Sequence, residues 1–228
     1  MQLPKHQLYA IAAVIIPLFL LFLVHEQGDI VLAVNRAHHP ALDIFFTYLT
    51  QLGDGIVFLF LAVLLVMVKF RYTIITALVG GVHALLIGVM KKGFFSHVPR
   101  PKNFFDAEAG LHFINNVNVH GWMSFPSGHT TSAFALALLV SLMAKKRIVT
   151  ALCMGYALLI GVSRIYLLQH FYIDVFSGAV IGFLSTLIVW WGLSYVTLPS
   201  WTDHKLVFKV SLRLQPGTQK APEPKPSF

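Results

Sequence analysis

The chain has 228 residues, 57% of them hydrophobic and only 11% charged, with a net charge of +8 from 17 basic and 9 acidic side chains. A soluble domain carries about a quarter charged residues, so this composition argues against a water-soluble fold and for an integral membrane protein. The basic residues lie between and after apolar runs with no continuous basic face, which argues against a nucleic-acid partner, and the single cysteine, Cys153, excludes an intrachain disulfide.

A helix needs about 20 apolar residues to cross the hydrocarbon core. Taken in chain order, the apolar runs fall at 7–24, 55–68 (with a start as early as Thr50), 72–90, 127–143, 148–166 and 172–196. They predict an all-α polytopic membrane protein with six transmembrane helices. No small-residue cleavage site precedes His25-Glu26, so the first run reads as a retained anchor, not a signal peptide. Residues 1–198 then form one membrane domain. Beyond it, 199–228 turns polar and ends in Ala221-Pro-Glu-Pro-Lys-Pro-Ser-Phe228, which reads as a disordered cytoplasmic tail.

Loop charges orient the spans. Lys5, Lys69 with Arg71, Lys145 to Arg147 and the tail lysines all fall on one side, which the positive-inside rule makes cytoplasmic. The opposite loops hold Glu26, Asp29, Arg36, Asp43 and Asp54, followed by the long 93–125 segment. That segment carries Phe94, Phe95, Phe104, Phe105, Phe113 and Trp122 and reads as a short amphipathic piece lying in the interface, either anchoring the chain or admitting lipid. Arg100, Ser127, His129, Arg164, His170 and Asp174 all map to this non-cytoplasmic face.

Three stretches there carry chemistry. Pro126-Ser127-Gly128-His129 opens the fourth span, where free backbone N–H groups, a serine hydroxyl and an open glycine make an anion site that His129 can reach. The alternative is a plain helix start with an interfacial histidine. Ser163-Arg164 is followed by His170 and Asp174, four apart and so able to share a helical face. The carboxylate can fix one imidazole nitrogen and leave the other as a nucleophile, while Arg164 offers a planar fork to phosphate oxygens. A structural Arg164–Asp174 ion pair is the competing explanation. Arg100-Pro101 follows Lys91 and Lys92.

These residues resemble the type 2 phosphatidic acid phosphatase (PAP2) superfamily, whose motifs are K-x6-R-P, P-S-G-H and S-R-x5-H-x3-D. The second and third are matched residue for residue. In the first, the lysine position falls on Gly93, one residue after Lys92, which is taken for the role ahead of Lys91 and Lys102. The resemblance implies a haloperoxidase-like helical core and a phosphohistidine mechanism. It makes His170 the nucleophile, Asp174 its orienting partner and His129 the general acid, with Lys92, Arg100, Ser127, Gly128 and Arg164 holding phosphate. It implies no metal and no cofactor. The implied substrate is a lipid phosphate or diphosphate in a bacterial cytoplasmic (inner) membrane, reached from the non-cytoplasmic side. Undecaprenyl diphosphate, phosphatidate, phosphatidylglycerol phosphate and lipid A phosphates all fit, and oligomeric state is left open. A lipid phosphotransferase, or a non-enzymatic anion or lipid transporter using the same cations, is the alternative.

Overall fold

The apolar runs fold as helices in a computed structural model that describes residues 3–204 and residue 206. Among these residues no strand forms, only an isolated bridge between Pro99 and Trp122. Helix α1 (Lys5–Val24) is a single apolar span. Two short helices follow inside the segment read as a loop. The first, α2 (Asp29–Arg36), has an acidic residue in its first turn and a basic one in its last, as the helix dipole favours. In the second, α3 (Pro40–Leu49), His39 accepts the Ala41 N–H and proline takes the first helical position.

The second expected span is broken. Helix α4 (Ile56–Val66) has 11 residues, about 16 Å at 1.5 Å per residue, and cannot cross a membrane alone. Only with α3 and the tight turn Thr50–Gly53 does it reach spanning length, across a 61° bend. Helix α5 (Phe70–Val89) continues through a π-helical turn, Met90–Phe94. In the 93–125 connection the expected amphipathic piece shrinks to α6 (Pro101–Phe104) and a single turn at Ala107–Ala109. Backbone bonds from Arg100 N–H to Gly121 and from Ser124 N–H to Val98 hold the rest of that connection. Helices α7 (Gly128–Ala144), α8 (Arg147–Tyr166) and α9 (Tyr172–Gly192) complete the bundle. Four helices pass as spans by length and composition, and the bent pair makes a fifth. The remaining apolar run, the fourth in chain order, is α7, a helix of 17 residues.

Helix α7 is the centre. Twelve of its 17 residues are buried, between α8 and α9. Thr130, Thr131, Ser132, Ala133, Ala135 and Ala137 are small enough to let neighbouring backbones approach, as membrane helix interfaces favour. On the α9 side a Cβ at Gly178 would stand 2.8 Å from the Ser127 carbonyl oxygen, so only glycine fits that contact. Thr186 Oγ1 donates to the Ala135 carbonyl at 2.9 Å, a second tie between the two helices. By contrast Leu23, Leu59, Phe60 and Leu64 point outward and stay exposed, a surface that lipid can cover.

The first residues of the expected disordered tail are ordered. Ser200–Asp203 forms a tight turn whose Asp203 carboxylate accepts from Arg71 at 2.9 Å and lies 3.6 Å from Lys69 Nζ. Charge complementarity at the start of α5 holds it there, and Phe70 N–H adds a bond to His204. Residue 205 and residues 207–228 of that tail lie outside the described residues.

Candidate active site

The turn between α8 and α9 doubles back within a few residues. Leu168 adopts a left-handed conformation, and the N–H groups of Gln169 and His170 both donate to the Arg164 carbonyl, at 3.0 and 3.1 Å. Arg164 and His170 are thereby brought together although six positions apart in sequence. His170 is 2% exposed, with Nδ1 3.3 Å from Asp174 Oδ2. The pair does not share a helical face, because His170 precedes the first turn of α9. Instead Asp174 folds back over the helix start, where an acidic side chain satisfies free N–H groups. Its Oδ2 accepts the Phe171 N–H at 2.9 Å and the Ser124 hydroxyl at 2.5 Å. Ser127 N–H donates to the Asp174 carbonyl at 3.0 Å, stitching the starts of α7 and α9 together. Burial, with Arg100, Lys91, Arg164 and His129 nearby, holds the His170 imidazole well below its usual titration range, so it is neutral.

Facing His170 is a cavity of about 480 Å³ lined also by Lys91, Arg100, Gly128, His129 and Arg164. Arg100 and Arg164 are each 7% exposed and are aimed by neutral partners. Arg100 donates from Nε to the Trp122 carbonyl at 2.9 Å and from Nη1 to Gln169 Oε1 at 2.6 Å. Arg164 Nη1 donates to Thr50 Oγ1 at 2.7 Å, while its Nε has no partner among the described residues. Two guanidiniums without a paired carboxylate among the described residues, at a cavity wall, are a ready anion site. His129, at the start of α7, is 29% exposed at its side chain, with Nε2 4.0 Å from Asp54 Oδ2.

Two expected phosphate ligands sit elsewhere. Ser127 is fully buried, its hydroxyl bonded to Thr130 Oγ1 at 2.8 Å and accepting the Thr130 N–H, so it caps α7 and Gly128 faces the cavity instead. Lys92 is exposed and does not line the cavity; Lys91 does, with Nζ donating to the Met123 carbonyl at 2.8 Å. The π-helical turn winds Met90–Phe94 more loosely than an α-helix and changes which lysine faces inward.

Asn116, Asn118 and His120 from the long loop, with Thr47 and Gln51 from the α3 side, form a polar rim. Tyr166 and Tyr172 brace the scaffold and do not line the cavity. Tyr166 Oη donates to Asp43 at 2.5 Å, and Tyr172 Oη donates to the Leu18 carbonyl at 2.6 Å. Sequence reasoning missed Thr50, Asp54 and Ser124, polar residues outside any motif, and Gln169, an unspecified position within the third. Among the described residues no group of three or more histidine, cysteine, aspartate or glutamate side chains is placed to share a metal ion.

The arrangement is that of an all-helical membrane protein with an oxyanion pocket built from cations and two imidazoles. The family model described as "PAP2 superfamily" matches residues 68–198, more than half of the chain, and the chain belongs to that superfamily. It is similar to the bacitracin transport permease protein BcrC of Bacillus licheniformis, 33% identical over 111 residues, which cover 46% of this chain and 50% of that protein. The chain therefore spans about half the length of that relative. A lipid A 4'-phosphatase of Porphyromonas gingivalis is 29% identical over 175 residues, covering 72% of this chain and 71% of the relative. Among solved structures, Aquifex aeolicus LpxE superposes with a TM-score of 0.64 at 32% identity, over 72% of this chain and 94% of LpxE.

Proposed function

We propose that this protein is an integral membrane phosphatase that hydrolyses a lipid phosphate or diphosphate monoester through a phosphohistidine, without a metal ion. The observation that carries the reading is the convergence on one cavity of a neutral, carboxylate-backed imidazole with Lys91, Arg100, Arg164 and a second histidine. In this mechanism Asp174 holds the Nδ1 side of His170 and leaves Nε2 to attack phosphorus. The bond from phosphorus to the lipid oxygen breaks, and His129 gives its proton to the leaving alkoxide. Water then attacks the phosphohistidine, neutral His129 takes a proton from it, and inorganic phosphate leaves. The lysine, the two arginines and the Gly128 backbone hold the charge that spreads over the non-bridging oxygens.

Loop charges favour a site facing away from the cytoplasm, in a bacterial cytoplasmic membrane. The name of the Porphyromonas relative puts lipid A phosphates among the candidate substrates, beside undecaprenyl diphosphate, phosphatidate and phosphatidylglycerol phosphate. A transporter is the rival that the name of the Bacillus relative suggests. Transport would use the cations but has no need of an imidazole backed by Asp174. The deciding experiment is phosphate release by the detergent-purified protein from a panel of these lipids in the presence of EDTA. Release from at least one is expected, with inhibition by vanadate. No release from any, or release only after magnesium is restored, would overturn the reading.

A further inference from the structure

The elbow between α3 and α4 belongs to no motif, yet it is pressed against the site at several points. Arg164 reaches back to Thr50, and Tyr156 Oη donates to the Leu52 carbonyl at 2.6 Å. At Gly53 there is no room for a side chain: a Cβ would stand 2.6 Å from Ile160 Cγ2 and 3.3 Å from His129 Cβ. The elbow backbone therefore lies directly on the first turn of α7. The next residue is Asp54, whose Oδ1 accepts the Ile56 N–H at 2.9 Å and caps α4. That bond fixes the carboxylate and turns Oδ2 to within 4.0 Å of His129 Nε2.

Otherwise His129 faces positive charge: Arg164 from α8, Lys91 from the end of α5 and Arg100 from the long loop. His170, the buried imidazole on the cavity, is neutral, and its own carboxylate, Asp174, is buried behind it. A general acid has to carry a proton at the moment the leaving group departs, and burial and three cations oppose that. We infer that Asp54 is a positioning residue for the general acid, its charge keeping His129 aimed and protonated until the lipid oxygen leaves. The inference rests on the phosphatase reading. At 4.0 Å the carboxylate acts through its charge, as an ion-pair partner on the open side of the ring. His129 gives its proton to the departing oxygen as the phosphorus–oxygen bond breaks, and the Asp54 charge then favours its taking a proton back from the water that attacks the phosphohistidine.

The cap and the charge are separable, because asparagine caps a helix as well as aspartate does. The test is the pH dependence of kcat/KM for the full-length protein and its Asp54→Asn and Asp54→Glu variants. Each is assayed on a lipid monophosphate and on p-nitrophenyl phosphate, whose leaving group needs little protonation. With the lipid, the alkaline limb of Asp54→Asn should move to lower pH by about half a unit to one unit, the range of a half-exposed pair. On the alkaline limb this is a loss of about three- to tenfold. The aryl phosphate profile should not move, and Asp54→Glu should restore most of the lost rate. An alkaline limb unmoved in Asp54→Asn would overturn the inference, as would an equal loss on both substrates, which would make the carboxylate a fold or binding element. Absence of phosphate release by the parent protein would instead overturn the phosphatase reading.

Discussion

The two motif imidazoles of the cavity, His170 and His129, have opposite surroundings. His170 and its carboxylate partner Asp174 each have side chains 2% exposed, and Asp174 is fixed by the Phe171 N–H and the Ser124 hydroxyl. His129 and Asp54 have side chains 29% and 50% exposed and stand at ion-pair distance with no hydrogen bond between them. The difference suits the two tasks proposed for them. A nucleophile gains from fixed geometry and dehydration, whereas a group that is acid in one step and base in the next needs access for the leaving oxygen and for the attacking water.

Substitution of each histidine puts that contrast to its strongest test. His170→Ala should lose about 10⁴-fold or more in turnover on every substrate and form no phosphoenzyme, as removal of a nucleophile does. His129→Ala should lose about 10²- to 10⁴-fold on a lipid phosphate but less than about tenfold on p-nitrophenyl phosphate. Rapid-quench measurement of the phosphoenzyme with both substrates checks this. Equal losses by the two variants on the aryl phosphate would erase the division of labour.

The next effect in size separates the two lysines. Lys91→Met should lower kcat/KM about 10²-fold, the order seen when one donor to a developing oxyanion is removed. Lys92→Met should stay within about twofold, since its side chain is exposed outside the cavity. The opposite ranking in a steady-state assay would return the role to Lys92.

How far the sequence discloses this site follows from where each residue's neighbours lie. Pro126 to His129 and Ser163 to Asp174 are legible because each motif lies within a short stretch of chain, although a doubled-back turn, not a shared helical face, brings His170 and Asp174 together. Thr50 and Asp54 meet Arg164 and His129 only through tertiary contacts across 114 and 75 positions. Nothing in the local pattern of the elbow marks that meeting. Ser124 likewise reaches Asp174 from 50 positions away. Lys91 was obscured for a different reason, since a π-helical turn breaks the 3.6-residue phase on which a sequence reading relies. The helical class and the apolar runs were plain in composition. The bend that splits the second span was not, because α2 and α3 fall in a stretch whose charges read as a loop.

The smallest expected effect concerns acid stability. Because burial and nearby cations depress the His170 titration, the unfolded chain binds that proton first as pH falls below about 6.5. The stability this group confers is present in full above that pH and is lost as pH drops toward the lower folded-state value. His170→Gln should therefore lose less melting temperature between pH 7 and pH 5 than the parent protein. A difference of about 2–4 °C is expected, the shift that about 1 kcal/mol produces in a chain of this size. Parallel melting curves for the two proteins would show that His170 is already charged in the fold.

The close contact at Gly178 sets the limits within which this site can be redesigned. Its neighbours are the Ser127 carbonyl oxygen at 2.8 Å, Thr130 Cβ at 3.1 Å and Thr131 Oγ1 at 3.2 Å, positions belonging to the helix start that presents His129. A methyl group there meets backbone, which cannot rotate away, so α9 has to retreat and carry Asp174 with it. Alignment of the dyad and cohesion of the bundle are thus one quantity, and a library varied at this position would lose both together. The polar rim is built differently, from Thr47 and Gln51 on one segment and Asn116, Asn118 and His120 on another. If the proposed lipid phosphate binds here, head-group preference can be rewritten at this rim, one residue at a time, while the floor stays untouched.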